Sequence, residues 1–249
     1  MSLMTNTTFV CIDCESTGLD CDQDRIIEVA VVLFRGSTIL EQFESLVDPG
    51  MPIPQDSQKI HHIHDEMCAG KPRIESLLPQ IHKLVGAHPI VGHGVGFDID
   101  LLHRAALRKH ISTRLKSNPV IDTLRLARLY GELPSNSLES LRHHFNIPTD
   151  GAHRAMGDVQ VNVRVFLQLT RSFETFEALM KRLEKPIEIK VMPLGKHKGR
   201  SFRDIPLEYL QWALAKRFDG DLRHTIKQEM RRRKQTRTFS QATNPFEQM

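Results

Sequence analysis

Apolar and polar positions divide the first two thirds of the chain into short strands followed by alternating strands and helices. Phe9-Val10-Cys11-Ile12 is an apolar, partly β-branched run broken at Gly18, which predicts a strand. Residues 25–35 (RIIEVAVVLFR) predict a second, and Ile39 to Val47 a third after the turn chemistry of Gly36-Ser37-Thr38. Residues 73–86 carry Ile74, Leu77, Leu78, Ile81 and Val85 on one helical stripe. A short buried strand, Pro89 to Gly92, leads into a helix carrying Ile99, Leu101, Leu102 and Ala106. Pro119 to Thr123 predicts a fifth strand, and helices follow at Leu124–Tyr130, Leu138–Phe145, the stretch bearing Val161, Val165, Phe166 and Leu169, and Phe173–Leu183. Hairpin-linked strands followed by strands alternating with helices imply a mixed α/β sheet with helices packed on it. Between Asp48 and about Pro72 the pattern lapses into a long loop rich in Pro, Asp, Ser and His.

Composition adds bounds. The 249 residues suffice for one large domain and a small one, and 40% hydrophobic with 26% charged content is ordinary for a globular chain. No apolar run approaches the ~20 residues of a membrane span, and MSLMTNTT lacks signal-peptide regions. The expectation is a cytoplasmic protein with no membrane partner. Cys11 and Cys14 fall on opposite faces of a strand, so their CxxC spacing neither bridges nor shares a metal there; buried thiols are expected. Of the 34 basic and 30 acidic residues, 14 and 7 fall from Ile187 onward, which leaves the preceding 186 residues with 20 and 23. A mildly acidic body with a basic end suits an enzyme that carries its own polyanion-binding element, although solvated basic helices are common.

Candidate chemistry begins at the end of the first strand. Asp13 and Glu15 are two residues apart and point the same way. Carboxylates that close repel by several kcal/mol at an effective dielectric of about 20, so a divalent cation or simply a strand end running into solvent would account for them. Asp98 falls at a helix opening, where the helix dipole favours an ionised carboxylate. His153 and Asp158 are five apart and cannot share one helix face, so a joint site needs Asp158 on a helix and His153 on the loop entering it. The cluster His61-His62-Ile63-His64 lacks partners at metal-ligand spacing; it reads as a substrate-contacting loop or a plain surface loop. The glycines of His93-Gly94-Val95-Gly96 match neither a dinucleotide fingerprint nor a P-loop.

Taken in order, Asp13-x-Glu15 before Thr17-Gly18, His93-x-x-x-Phe97-Asp98 and His153-Arg154-Ala155-x-x-Asp158 resemble the motifs of the DEDDh 3′–5′ exonucleases, over about Thr8 to Thr170. That family includes the proofreading epsilon subunits of bacterial replicative DNA polymerases. The resemblance implies a ribonuclease-H-like fold: a mixed five-stranded sheet flanked by helices. It implies hydrolysis of phosphodiester bonds from a 3′ end, with release of nucleoside 5′-monophosphates. Asp13, Glu15 and Asp158 would bind two Mg²⁺ or Mn²⁺ ions, Asp98 would help through water, and His153 would be the general base. Thr17, Gly18 and Leu19 match the segment that meets the terminal nucleotide, and His61 and Phe97 match substrate-contacting positions. Two positions depart from the family: Gly94 stands where Asn is usual, and His62 replaces a frequent glycine.

The expected partner is a nucleic acid with a free 3′ end, DNA favoured over RNA, with a DNA polymerase catalytic subunit as a further candidate. An RNA-trimming exoribonuclease is the alternative, and a non-catalytic nucleic-acid-binding module a remote one. The expected organisation is an exonuclease domain over 1–185, a small, mainly helical basic C-terminal domain over 186–238 and a disordered tail over 239–249. The segment Met192 to Gly199 resembles a small module of unsettled function appended to some exonucleases. Tyr209, Leu210, Trp212, Ala213 and Leu214 read as the core face of a helix, with stacking of Trp212 on a base as the alternative.

Overall fold

The structure, a computed structural model, describes residues 3–131, 133, 135–148, 154–216 and 218–242. The chain divides into two compact units, Met1–Arg182 and Leu183–Met249. In the first, β1 (Thr8–Ser16), β2 (Ile26–Arg35) and β3 (Thr38–Leu46) form an antiparallel meander. Two short helices follow, α1 (Gln55–His61) and α2 (Asp65–Cys68), then α3 (Ile74–Val85), β4 (Ile90–Gly92), α4 (Gly96–Arg108), β5 (Val120–Asp122), α5 (Thr123–Tyr130), α6 (Leu138–His144), α7 (Ala155–Leu169) and α8 (Phe176–Leu183). The strand order is β3-β2-β1-β4-β5, with β1 parallel to β4 and β4 parallel to β5. This is the mixed five-stranded sheet flanked by helices that the pattern implies, with β1 at its centre.

Centrality explains why β1 is apolar on both sides. Val10, Ile12 and Cys14 join Val29, Val31 and residues of α3 and α4, among them Leu78, Ile81, Leu101 and Leu102, in one buried cluster. On the opposite face Phe9 packs against Phe34 and Phe166, with ring centroids 5.6 and 5.0 Å away. Burying a side chain of that size contributes about 1.5–3 kcal/mol. That contact seats α7 on the face bearing Phe9, Cys11, Asp13 and Glu15.

The segment after Asp48 differs from the expected loop. Ile53, Ile63 and Cys68 bury against Ile27 and hold α1 and α2 in place. Helices of 7 and 4 residues are too short to declare a period in sequence, and tertiary packing carries them.

In the second unit, α9 (Leu207–Leu214) follows Pro206, and α10 (Gly220–Ala242) ends the described chain. Its core is Ile189, Met192, Phe202, Ile205, Leu210, Ala213, Leu222 and Ile226. Trp212 is not part of that core: it is 50% exposed, because Leu210 and Ala213 already turn the inward face of α9 toward the core. The last helix runs to Ala242, into the stretch expected to be a tail, and 243–249 lie outside the described residues. Among the described residues, no helix is long and apolar enough to cross a membrane.

Candidate active site

Asp13 and Glu15 stand at the C-terminal end of β1, opposite Ala30 and Glu28 on β2. The register slips between Glu15 and Ser16, a bulge that turns the chain out of the sheet and ends the pairing there. Asp158 lies in the first turn of α7, the helix packed on this face. One carboxylate oxygen each from Asp13, Glu15 and Asp158 lies within 4.8 Å of the others. The period of the strand supplies two of these groups and the docking of α7 the third.

Asp98, in the first turn of α4, is buried, and its Oδ1 accepts a hydrogen bond from the Cys14 N–H at 2.9 Å. It is therefore fastened to the β1 backbone beside the trio rather than within it. Its carboxyl is pushed up to about 7, chiefly by burial and against the pull of the Cys14 N–H. Burial thus outweighs the helix dipole, which alone would favour the ionised form. Glu15 is likewise raised to about 7 by burial, then by Asp158 and Glu28, with Arg154 opposing. Asp13 is raised by burial and then by Asp98, Glu15 and Asp158. Such a set of hard oxygen donors, mutually repelling and partly withdrawn from water, fits divalent cations of the Mg²⁺ or Mn²⁺ type.

The segment matched to the terminal nucleotide divides by residue. Thr17 is buried: its Oγ1 donates to Asp24 Oδ1 at 2.7 Å and accepts from the Arg25 N–H at 3.0 Å, and its carbonyl accepts from Ser57 Oγ at 2.8 Å. A Cβ on Gly18 would stand 2.5 Å from Asp24 Oδ2, so a larger residue there would push that carboxylate off its bonds to Thr17 Oγ1 and the Asp20 N–H. Leu19 beyond it is 89% exposed. Thr17 and Asp24 brace the turn, and Leu19 is the side chain it presents.

His61 ends α1 and is buried, with Nδ1 accepting from the Ile63 N–H at 3.0 Å. Its buried Nε2, which carries the hydrogen in that tautomer, has no hydrogen-bond partner among the described residues. Burial lowers its pKa. Phe97 is half-buried against the main core cluster. His153 lies outside the described residues, as do Gly151 and Ala152.

The two departures from the family acquire a backbone reading. Gly94 has φ +71° and open space where a Cβ would be, a left-handed position that Asn also tolerates. His62, at φ 57°, is the left-handed residue that closes α1, a place where glycine is favoured. His62→Gly should therefore stabilise the protein by about 0.5–1 kcal/mol and raise Tm by roughly 2 °C. A lower Tm in a thermal melt would mean that the imidazole makes a contact outweighing the backbone strain.

Glu28, which sequence reasoning missed, is fully buried. It receives Arg154 Nε on both oxygens at 3.1 Å, an Arg154 Nη2 bond, and the Ala155 N–H at 3.0 Å. It thereby holds the N-terminus of α7, and with it Asp158, over β1. The available signal was a lone glutamate in the otherwise apolar run Ile26-Ile27-Glu28-Val29. A second missed group fastens β4, α5 and α7: Thr123 Oγ1 meets His93 Nδ1 at 3.0 Å, the Gly92 carbonyl at 3.1 Å and Asn162 Oδ1 at 2.7 Å. Burial lowers the His93 pKa to about 4, so this imidazole is neutral at pH 7.

Residues 10–166 match the model of the exonuclease family RNase_T. Residues 180–230 match a model described as a putative quorum-sensing-regulated virulence factor. The DNA polymerase III subunit epsilon of Aquifex aeolicus is 36% identical over 163 residues, 65% of this chain and 80% of that protein. A DNA polymerase III subunit epsilon-like protein of Rhodobacter capsulatus is 34% identical over 189 residues, 72% of this chain but only 26% of its own length. Among solved structures, exonuclease X in complex with 5′-overhanging duplex DNA aligns with a TM-score of 0.54 and 25% identity, over 66% of this chain and 92% of that one.

Proposed function

The chain belongs to the RNase_T exonuclease family, and from that premise we propose that it is a two-metal 3′–5′ exonuclease that removes nucleotides from DNA. The observation carrying the reading is the convergence of Asp13, Glu15 and Asp158 within 4.8 Å at the end of the central strand. These three carboxylates would hold the cations, with Asp98 acting through water from its place on the Cys14 N–H. Two bound Mg²⁺ or Mn²⁺ ions would supply Lewis-acid stabilisation of the attacking and leaving oxygens.

The remaining roles fall to the chain's own groups. His153, in the motif preceding Arg154 and Ala155, would take the proton of the attacking water, for which an ordinary imidazole pKa near 6.5 is suited. Glu28 and Arg154 would keep Asp158 in register with Asp13. Leu19 would wedge against the terminal base from the turn braced by Thr17, Gly18 and Asp24. His61 Nε2–H would offer a donor to a substrate oxygen, and Phe97 an apolar contact.

DNA is favoured because the relatives include DNA polymerase III subunits and exonuclease X is seen with DNA. The experiment is a comparison of rates on sequence-matched DNA and RNA oligonucleotides, whose main chemical difference is the 2′-hydroxyl. Faster DNA shortening with nucleoside 5′-monophosphate products is expected. Faster RNA shortening would assign the enzyme to RNA trimming, and metal-independent binding without turnover would overturn catalysis altogether. A proofreading role further requires that the protein co-purify with a DNA polymerase catalytic subunit; failure to do so would favour a free-standing repair nuclease.

The carboxyl shifts predict an unusual pH dependence. Glu15 and Asp98, at about 7 in the folded chain, lie near 4 when unfolded. At these two groups the folded state binds more protons between those values, so their contribution to metal-free stability falls as pH rises from about 4 to 7, against the rise contributed by the lowered His93. Saturating Mg²⁺ or Mn²⁺ should flatten or reverse that decline, since cation binding favours the ionised carboxylates. Metal-free melts of wild type and Glu15→Gln across pH 4 to 7 check this: the variant should lose less stability, or gain more, as pH rises, and a variant whose Tm tracks pH as the wild type's does contradicts it.

A further inference from the structure

The unit Leu183–Met249 carries an aromatic surface that its own core does not use. Trp212, the chain's single tryptophan, is half exposed on α9. Tyr209 lies against it, tilted by 39° with centroids 5.1 Å apart, and Lys216 Nζ stands over the ring, 5.4 Å from its centroid, on a flexible side chain that an incoming base would displace toward its phosphate. Tyr209 is held in turn by the buried His197, edge to face at 4.5 Å. Gly195, at φ +74°, lets the 195–199 turn lie on the tyrosine, since a Cβ there would stand 2.5 Å from Tyr209 Oη. Lys196, Lys198 and Arg200 are exposed on that turn. The aromatic pair thus has Lys216 at the tryptophan and the exposed lysines of the 195–199 turn on the tyrosine side, with the exposed Glu208 one turn earlier on α9, in a region with 14 basic and 7 acidic residues from Ile187 onward.

Exposed apolar side chains are common and mean little singly. Here the neighbours decide. On its helix the ring is bordered by Gln211, Ala215, Lys216 and the exposed Glu208, and Leu194, 39% exposed before the Gly195 turn, is too small an apolar neighbour to make a protein interface. A π-face flanked by cations matches an unpaired base joined to its phosphates. A duplex hides the faces of its internal bases and would meet only the cations. We propose that Trp212, backed by Tyr209 and flanked by Lys216 and the Lys196–Arg200 turn, is a stacking platform for single-stranded nucleic acid. The inference rests on the nucleic-acid reading of the exonuclease unit for its ligand class, but not on hydrolysis.

Because the chain has one tryptophan, its emission reports on the platform directly. The full-length protein is titrated with dT20 in chelator, with binding followed independently by anisotropy of a labelled strand. Saturable quenching of Trp212 emission with the same midpoint as the anisotropy is expected, weakening as salt rises. Trp212→Ala should weaken binding roughly tenfold and Trp212→Phe less, while Lys196→Glu with Lys198→Glu should weaken it without a change in the free protein's emission. Binding without quenching, no binding, or equal quenching by a blunt duplex would overturn the platform. A protein that shortens DNA with metal but keeps its emission unchanged refutes the platform and spares the exonuclease reading. One that is quenched but hydrolyses nothing does the reverse.

Discussion

Asp13→Asn should abolish 3′-end shortening while leaving the protein folded and, without metal, more stable. Asp13 is the residue on which the other charges converge: Asp98, Glu15, Asp158 and Glu28 all raise its pKa after burial has done so. The amide keeps the shape of the side chain and removes the charge that a cation needs. Losing several kcal/mol of charge stabilisation in the transition state corresponds to a fall of roughly 10³-fold or more in rate. The same substitution removes repulsion from a buried cluster, so the metal-free variant should melt above the wild type, and Mg²⁺ should add less to it. Rates on a labelled oligonucleotide and melts in chelator test both halves. A variant retaining a tenth of the activity, or one that is less stable in chelator, contradicts this assignment.

Arg154→Ala should be the most destabilising single change near the site. It strands Glu28, whose side chain is 1% exposed, whereas Arg154 itself is 40% exposed and readily hydrated. Removing one partner of a buried pair costs about 3–5 kcal/mol, or roughly 10 °C in Tm for a chain of this size. Arg154→Lys should lose less, because the charge survives and only the forked geometry is lost. In the double variant Glu28→Gln with Arg154→Ala the buried charge is gone and the Ala155 N–H keeps an acceptor, so more than half of the lost stability should return. Denaturant titrations of the three variants decide it; equal stability of Arg154→Ala and wild type would mean that the Glu28–Arg154 contact does not position α7.

The site was legible where chemistry coincides with a period. Asp13 and Glu15 share a face because a strand repeats every two residues, and Asp158 falls on a helix whose apolar stripe must face the sheet. The five strands could be read for the same reason, as β-branched runs broken by turn residues. Burial, in contrast, is a property of the assembled fold. The sequence suggested a charged Asp98 at a helix start; its environment raises the pKa instead. Glu28 was hidden inside an apolar strand because strand patterns are read for their majority. The helices after Asp48 were hidden because α1 buries little beyond His61 and owes its place to Ile53, Ile63 and Cys68 on either side. The apolar run Tyr209 to Leu214 marks a core-facing helix without saying which of its members face inward, and the packing allots those positions to Leu210 and Ala213 rather than Trp212.

On the exonuclease reading the carboxylates gathered at the end of β1 would form a metal-dependent hydrolytic centre acting from a 3′ terminus. A 5′-labelled DNA oligonucleotide incubated with the wild-type protein and Mg²⁺ or Mn²⁺ tests it most directly. A ladder shortening one nucleotide at a time from the 3′ end is expected, abolished by chelator and restored by the added ion. Full-length substrate remaining with both metals, or a ladder that persists in chelator, would contradict it.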